Sequence, residues 1–269
     1  MDGEIRETLE LARRLAREAG AIQRERYETD FVVNTKSAPI DLVTEVDQAC
    51  EAHVVAILER ERASDAILAE EGGGSDRAGA RWRWIIDPLD GTTNFAHGYP
   101  CFCVSLGVER DGERTVGVVY DPLRDELYEA TRGGGAYRNG ASIAVSAETE
   151  LGRSLLATGF AYDVQRSDAD ILAEFTAALK NARAVRRDGS AALDLCYVAC
   201  GRFDGFWELK LHPWDVAAGL LIVEEAGGRT SDLGGGPSLA SGRETVASNG
   251  AIHDALLAVL RSDVATGPT

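Results

Sequence analysis

Asp87 and Asp90 stand three residues apart at the end of an apolar run, Trp84-Ile85-Ile86, with Pro88 and Leu89 between them and Gly91-Thr92-Thr93-Asn94 behind. Carboxylates in such a pair suit Mg²⁺, a hard ion that takes few acids and fills its other positions with water and phosphate oxygen. The Gly-Thr-Thr run suits the opening of a helix, where free backbone N–H groups can meet an anion. Cations beside a phosphate are the equipment for hydrolysing a phosphate ester, because they place water in line with phosphorus and steady charge on the leaving oxygen. Taken alone, Asp-Pro-x-Asp-Gly reads equally as a structural turn.

More acids lie where elements begin or end. Glu70-Glu71 closes the apolar run Ala66-Ile67-Leu68-Ala69 and precedes Gly72-Gly73-Gly74, the pattern of a strand delivering carboxylates to its C-terminal end. Asp41, Glu45 and Asp47 precede a helical pattern carrying Val54, Ile57 and Leu58, and capping that helix would account for them. Asp215 follows Pro213-Trp214 at another helix start, where a dipole partner is also routine. Glu208 ends a β-rich run and has the bland reading of an exposed strand-end acid.

The positioning elements follow from periodicity. Leu11, Leu15, Ala19 and Ile22 recur at three- and four-residue steps and predict a helix from residue 4 to about 27, with residues 34–39 a polar loop. A strand starts at Trp84, ending in a loop that carries Asp87 and Asp90. Residues 101–106, 115–120, 127–130 and 136–137 read as a β-meander, with Asp111-Gly112 as a hairpin turn. Gly133-Gly134-Gly135 lacks the GxxxxGK[ST] pattern and reads as a bend. Beyond it the spacing predicts strands at 155–160, 184–187, 205–208 and 246–248. Helices are expected at 168–181, 190–200, 213–226 and 252–260, with a frayed tail from Ser262.

Composition narrows the partners. A formal charge of −16 argues against direct nucleic-acid binding, which rests on Lys and Arg neutralising phosphates, and favours cation-mediated phosphate binding. The five cysteines show no zinc spacing and read as reduced core thiols, and the four histidines form no HExxH group. Nothing at the N-terminus resembles a signal peptide, and no apolar run reaches the ~20 residues of a membrane span, so a cytoplasmic protein without membrane attachment is expected.

The ordered set of motifs resembles the inositol monophosphatase family, Mg²⁺-dependent and lithium-sensitive phosphatases. The likeness runs from about Lys36 to Asn249. It includes Asp41 to Asp47, Glu70-Glu71, Trp84 to Asn94, Gly133 to Gly140, Gly189 to Leu195 and Pro213-Trp214-Asp215-Val216-Ala217-Ala218-Gly219. The resemblance implies an α/β (α+β) fold, a layered αβαβα sandwich of the inositol monophosphatase/fructose-1,6-bisphosphatase type. Residues 1–145 would form a half with a large antiparallel sheet and 146–269 a smaller α/β half, in one compact unit with the site between them.

Roles are implied residue by residue. Glu70, Asp87 and the Leu89 carbonyl would hold one Mg²⁺; Asp87, Asp90 and Asp215 would hold a second; a third, weaker ion would share Glu70, with Lys36 near it. Glu70 and Thr92, with Asp47 behind the threonine, would activate water, and Gly91 and Thr92 would bind phosphate through N–H groups. Asp90, Gly189, Ser190, Ala191 and Glu208 would meet the alcohol. Arg186, Arg187 and Lys210 either touch a second phosphate or pair with acids, pairing being the expectation. The implied activity is hydrolysis of myo-inositol 1-phosphate or a related small-molecule polyol or sugar phosphate by a homodimer. The sister activities are fructose-1,6-bisphosphatase, histidinol-phosphatase and nucleotide 3′-phosphatase; a regulatory protein-binding role is the alternative of another class.

Overall fold

The computed structural model describes residues 2–165, 167, 171–238 and 241–262. The chain opens with α1 (Gly3–Arg26), whose Asp2 side chain caps it and whose Leu11, Leu15 and Ala19 are buried. Where a polar loop was expected, β1 (Val33–Thr35) and β2 (Leu42–Thr44) form a two-stranded antiparallel ribbon. β1 is exposed throughout, so it has no apolar alternation by which to be read. Thr44 then caps α2 (Glu45–Glu61).

β3 (Ala66–Ala69) pairs in parallel with β4 (Trp82–Asp90), and α3 (Thr92–Ala96) follows at once. The meander is β5 (Cys103–Arg110), β6 (Glu113–Asp121), β7 (Glu126–Thr131), β8 (Gly135–Arg138) and β9 (Ala141–Ser142). Asp111 and Gly112 turn the β5–β6 hairpin with φ of 54° and 82°, the double positive φ that a tight primed turn needs. These strands complete a seven-stranded sheet in the order β3-β4-β5-β6-β7-β8-β9, antiparallel apart from its first pair.

The second half contributes β10 (Leu155–Thr158), α4 (Leu172–Asn181), β11 (Ala184–Arg186), α5 (Ala191–Ala199) and β12 (Gly205–Leu209). It closes with α6 (Pro213–Glu225), β13 (Arg229–Ser231), β14 (Glu244–Ser248) and α7 (His253–Ser262). Its five strands run β11-β10-β12-β14-β13, parallel around β10 and antiparallel around β14. Of the helix expected at 168–181, residues 168–170 lie outside the described residues, as does the tail beyond Ser262. The short β13 gave no signal in the sequence.

Five layers result. α1 and α2 cover one face of the large sheet through a core including Leu15, Val54, Trp84 and Leu106. α5 and α6 fill the space between the sheets, and α4 and α7 cover the outer face of the small one with Leu156, Trp207 and Leu256. This is the αβαβα sandwich. α6 is apolar all round because it is enclosed on both sides. It lies flush on the large sheet where Gly107 and Gly117 carry no side chain. A Cβ at Gly107 would stand 2.6 Å from that of Ala217, and one at Gly117 2.8 Å from the Ala218 carbonyl. That close approach brings the start of α6, with Asp215, down beside the end of β4.

Candidate active site

Residues three apart on a regular strand point to opposite faces. Asp87 pairs with Ser105 and Asp90 with Cys103, so β4 has one more residue than β5 over this stretch. The extra residue is a bulge, and it restores both carboxyls to one side. The loop expected between the two acids is therefore an irregular piece of strand. Pro88 has no N–H to donate, and its carbonyl accepts from Gln23 Nε2 at 2.7 Å. Gly91 ends the strand at φ 93°, where a Cβ would also stand 2.8 Å from the Cys101 carbonyl.

Each acid here has one oxygen fixed by the chain. Asp87 Oδ1 accepts from the Leu89 N–H at 3.0 Å. Asp90 Oδ2 accepts from Ser190 Oγ at 2.6 Å and from the Ala192 N–H at 2.8 Å. Asp215 Oδ2 accepts from the His212 N–H at 2.6 Å and caps α6. Asp47 Oδ2 accepts from Thr44 N and Oγ1 in a capping box, while its Oδ1 accepts from Thr92 Oγ1 at 2.8 Å. One oxygen of Asp47 and one of Asp215 thus cap α2 and α6, which leaves the second oxygen of each outside the cap.

Burial pushes the Asp87 carboxyl well above its usual range, and the like charges of Glu70, Asp90 and Asp215 add to this. Burial likewise raises Asp47, Glu70, Asp90 and Asp215. Desolvated acids repelling one another are a donor set in need of positive charge, and hard oxygens suit Mg²⁺. Lys36 supplies part of that charge, its Nζ lying 2.8 Å from Glu70 and 2.5 Å from Glu71. Burial pulls the Lys36 ammonium down in pKa, but Glu70 and Glu71 more than offset it, and the net shift is upward. Glu71 is pushed up to about 7, by burial foremost. Among the described residues no three acidic, histidine or thiol side chains enclose a cation by themselves. Ions that complete their shells with water and phosphate fit such a set.

Beside Asp90 and Asp215 lies a cavity of about 110 Å³, lined also by Gly91, Thr93, Gly189, Ser190, Ala191 and Glu208. Thr92 is buried behind it, and its hydroxyl also approaches the Leu89 carbonyl at 3.0 Å. Ser190 is buried with its hydroxyl committed to Asp90, so what the Gly189-Ser190-Ala191 turn offers the cavity is chiefly backbone. Glu208 is pushed up to about 8 by burial, against the opposing charge of Arg187. Lys210 pairs with Asp163 at 2.7 Å as expected. Arg186 and Arg187 pair with no acid among the described residues, and Arg187 lies over the Phe160 ring. Gly133 and Gly135 give their N–H groups to Glu225, which settles the triple glycine as a bend. Four cysteines are buried and all five are free thiols.

Three supporting residues had no signal in the sequence. Glu51 accepts from the N–H groups of Glu71 and Gly73 at 2.7 Å each and so holds the segment that carries Glu70. Asn94 Nδ2 reaches the carbonyls of Cys101, Asp188 and Gly189, tying the segment after Gly91 to the Gly189 turn. Asp194, buried on α5, is among the residues lining the cavity, and its Oδ1 is buried without a hydrogen-bond partner. The motif containing Asp194 was visible, but nothing in it marked this residue.

The family model for inositol monophosphatases matches residues 4–265. An inositol-1-monophosphatase of Synechocystis sp. is 48% identical over 83% of this chain and 78% of its own. The Nus factor SuhB of Escherichia coli is 42% identical over 95% and 96%. The solved structure of an inositol monophosphatase from Anabaena (Nostoc) sp. superposes with a TM-score of 0.87 at 42% identity, covering 98% of each chain.

Proposed function

Because this chain belongs to the inositol monophosphatase family, we propose that it is a Mg²⁺-dependent phosphomonoesterase that hydrolyses myo-inositol 1-phosphate, and related polyol or sugar phosphates, to the alcohol and inorganic phosphate. The observation that carries this reading is the placement of Asp90 and Asp215 at the rim of a cavity that also contains Glu208. Glu70, Asp87 and the Leu89 carbonyl would hold one Mg²⁺, and Asp87, Asp90 and Asp215 a second, with a weaker third ion sharing Glu70. Bound there, the ions supply Lewis acidity toward the phosphate and acidify water.

The chain's own residues do the positioning. Thr92 has one hydroxyl proton, and Asp47 is placed to take it. The lone pairs of Thr92 then remain free to accept from a water molecule, which Glu70 would share as base. Gly91 and Thr92 would offer backbone N–H groups to the phosphate. α3 is only five residues long, so these local donors matter more than any helix dipole. At the other end Glu208, which as a carboxylate has several acceptor sites, would accept hydrogen bonds from hydroxyls of the alcohol beside the Gly189-Ser190-Ala191 turn.

The test is kcat/KM for myo-inositol 1-phosphate against fructose 1,6-bisphosphate, histidinol phosphate and a nucleotide 3′-phosphate, with Mg²⁺ and with excess chelator. The inositol ester should lead, chelation should abolish turnover, and lithium should inhibit. Full activity in chelator, or histidinol phosphate leading by orders of magnitude, would overturn the reading. A homodimer is part of the same proposal and is checked by light scattering. The relatives named Nus factor SuhB favour a second, protein-binding role. That role predicts capture of transcription components by the purified chain, and their absence from a pull-down removes it.

A further inference from the structure

Asp194 stands in the first turns of α5, four residues after the cap Ser190, and is 1% exposed. Its Oδ1 is buried with no hydrogen-bond partner, and no side-chain hydrogen bond of Asp194 exists among the described residues. It nevertheless lines the cavity that contains Glu208 and Asp90. A buried carboxyl without a donor is costly to keep, the more so when it is charged. The surrounding helix is apolar, with Leu193, Leu195 and Val198 all buried, so a hydrophobic residue would suit the position better on stability alone. Glu208, less enclosed, likewise has no side-chain hydrogen bond among the described residues, and its charge acts on Asp194.

We propose that Asp194 is a specificity-determining residue that accepts a hydrogen bond from a second hydroxyl of the leaving alcohol, so that the cavity selects a polyol presenting hydroxyls to both Glu208 and Asp194. This rests on the phosphatase reading above and sharpens its substrate class. In their ionised forms, which the neighbouring Arg187 guanidinium favours, the two acids offer acceptors only. A neutral polyhydroxylated ring supplies one hydroxyl donor to each acid without bringing a charge of its own into the cavity.

The experiment compares kcat/KM for myo-inositol 1-phosphate with that for phenyl phosphate, which has no hydroxyl, in wild type, Asp194→Ala and Asp194→Asn, with Mg²⁺ present. The ratio should fall about 10- to 100-fold in Asp194→Ala, carried by KM rather than kcat, and Asp194→Asn, which keeps an acceptor oxygen, should recover much of it. Monodeoxy analogues of the inositol ester close the cycle. The analogue lacking the relevant hydroxyl should lose selectivity in wild type and lose little more in the variant. If Asp194→Ala melts below the assay temperature, the same cycle is read with Asp194→Leu, which fills the buried space without an acceptor. An unchanged ratio, with no analogue coupled to position 194, overturns the inference and leaves the phosphatase reading standing. A wild type without preference for the inositol ester overturns that reading and this inference with it.

Discussion

Asp90 and Asp215 at one end of the cavity, and Asp87 three residues before Asp90 on β4, each commit a carboxylate oxygen to the chain, through Ser190 and Ala192, through His212, and through Leu89. At the other end Glu208 and Asp194 commit none among the described residues. The first arrangement fixes direction. An oxygen held by a backbone N–H leaves its twin aimed at one place, as an ion with strict coordination geometry requires. The second arrangement stores unmet hydrogen-bonding capacity, which a ligand rich in hydroxyls can satisfy. Rigid aim at one end and unmet demand at the other correspond to phosphate chemistry that stays constant and an alcohol that must be chosen.

The comparison breaks most severely at Asp90. Asp90→Asn keeps the shape but removes charge from a proposed ligand, and kcat/KM should fall at least about 1000-fold with the fold intact by circular dichroism. Near-normal turnover would show that the fixed end is not the catalytic one. Thr92→Val removes the hydroxyl between Asp47 and the cavity, and steady-state assays should find kcat reduced by about 100-fold with KM little changed.

Glu208→Gln tests the unmet end through stability in chelator, without substrate. Glu208 rises from the usual 4.5 to about 8 in the folded chain. The unfolded chain therefore gives up this proton first, and Glu208 destabilises the fold progressively as pH climbs from 4.5 through 8. Denaturant melts at pH 8.5 should find Glu208→Gln more stable by up to about 5 kcal/mol, with the gain gone near pH 4. Equal stability at both pH values would mean that Glu208 has a donor after all. The smallest effect is expected at Gly159, where a Cβ would stand 2.2 Å from both Glu208 oxygens. Gly159→Ala should swing that carboxylate aside and raise KM for the inositol ester about tenfold, leaving the Mg²⁺ dependence of the rate unchanged.

The layers and the fixed end were largely legible in the sequence, because strand and helix periods and the ordered acids are local patterns. The bulge in β4 was not. Two acids three apart suggested a loop, and only the pairing with β5 reveals the extra residue that turns both one way. The β1–β2 ribbon and β13 escaped because three-residue strands with little burial carry no period. Glu51 reads as one more charge on a helix until Glu71 and Gly73 fold back upon it. Asp194 sat inside a quoted motif, yet its significance is a missing partner, and an absence of that kind exists only in three dimensions.

Lys36, bridging Glu70 and Glu71, bears on how the chain reaches its folded form in a medium poor in divalent ions. Carboxylates gathered around an empty centre would push one another apart during assembly. An ammonium delivered by the β1–β2 ribbon travels with the polypeptide and needs no supply from outside. The ammonium therefore offsets part of that repulsion without an ion from outside, and the folded form would depend on divalent ions less than its gathered acids suggest.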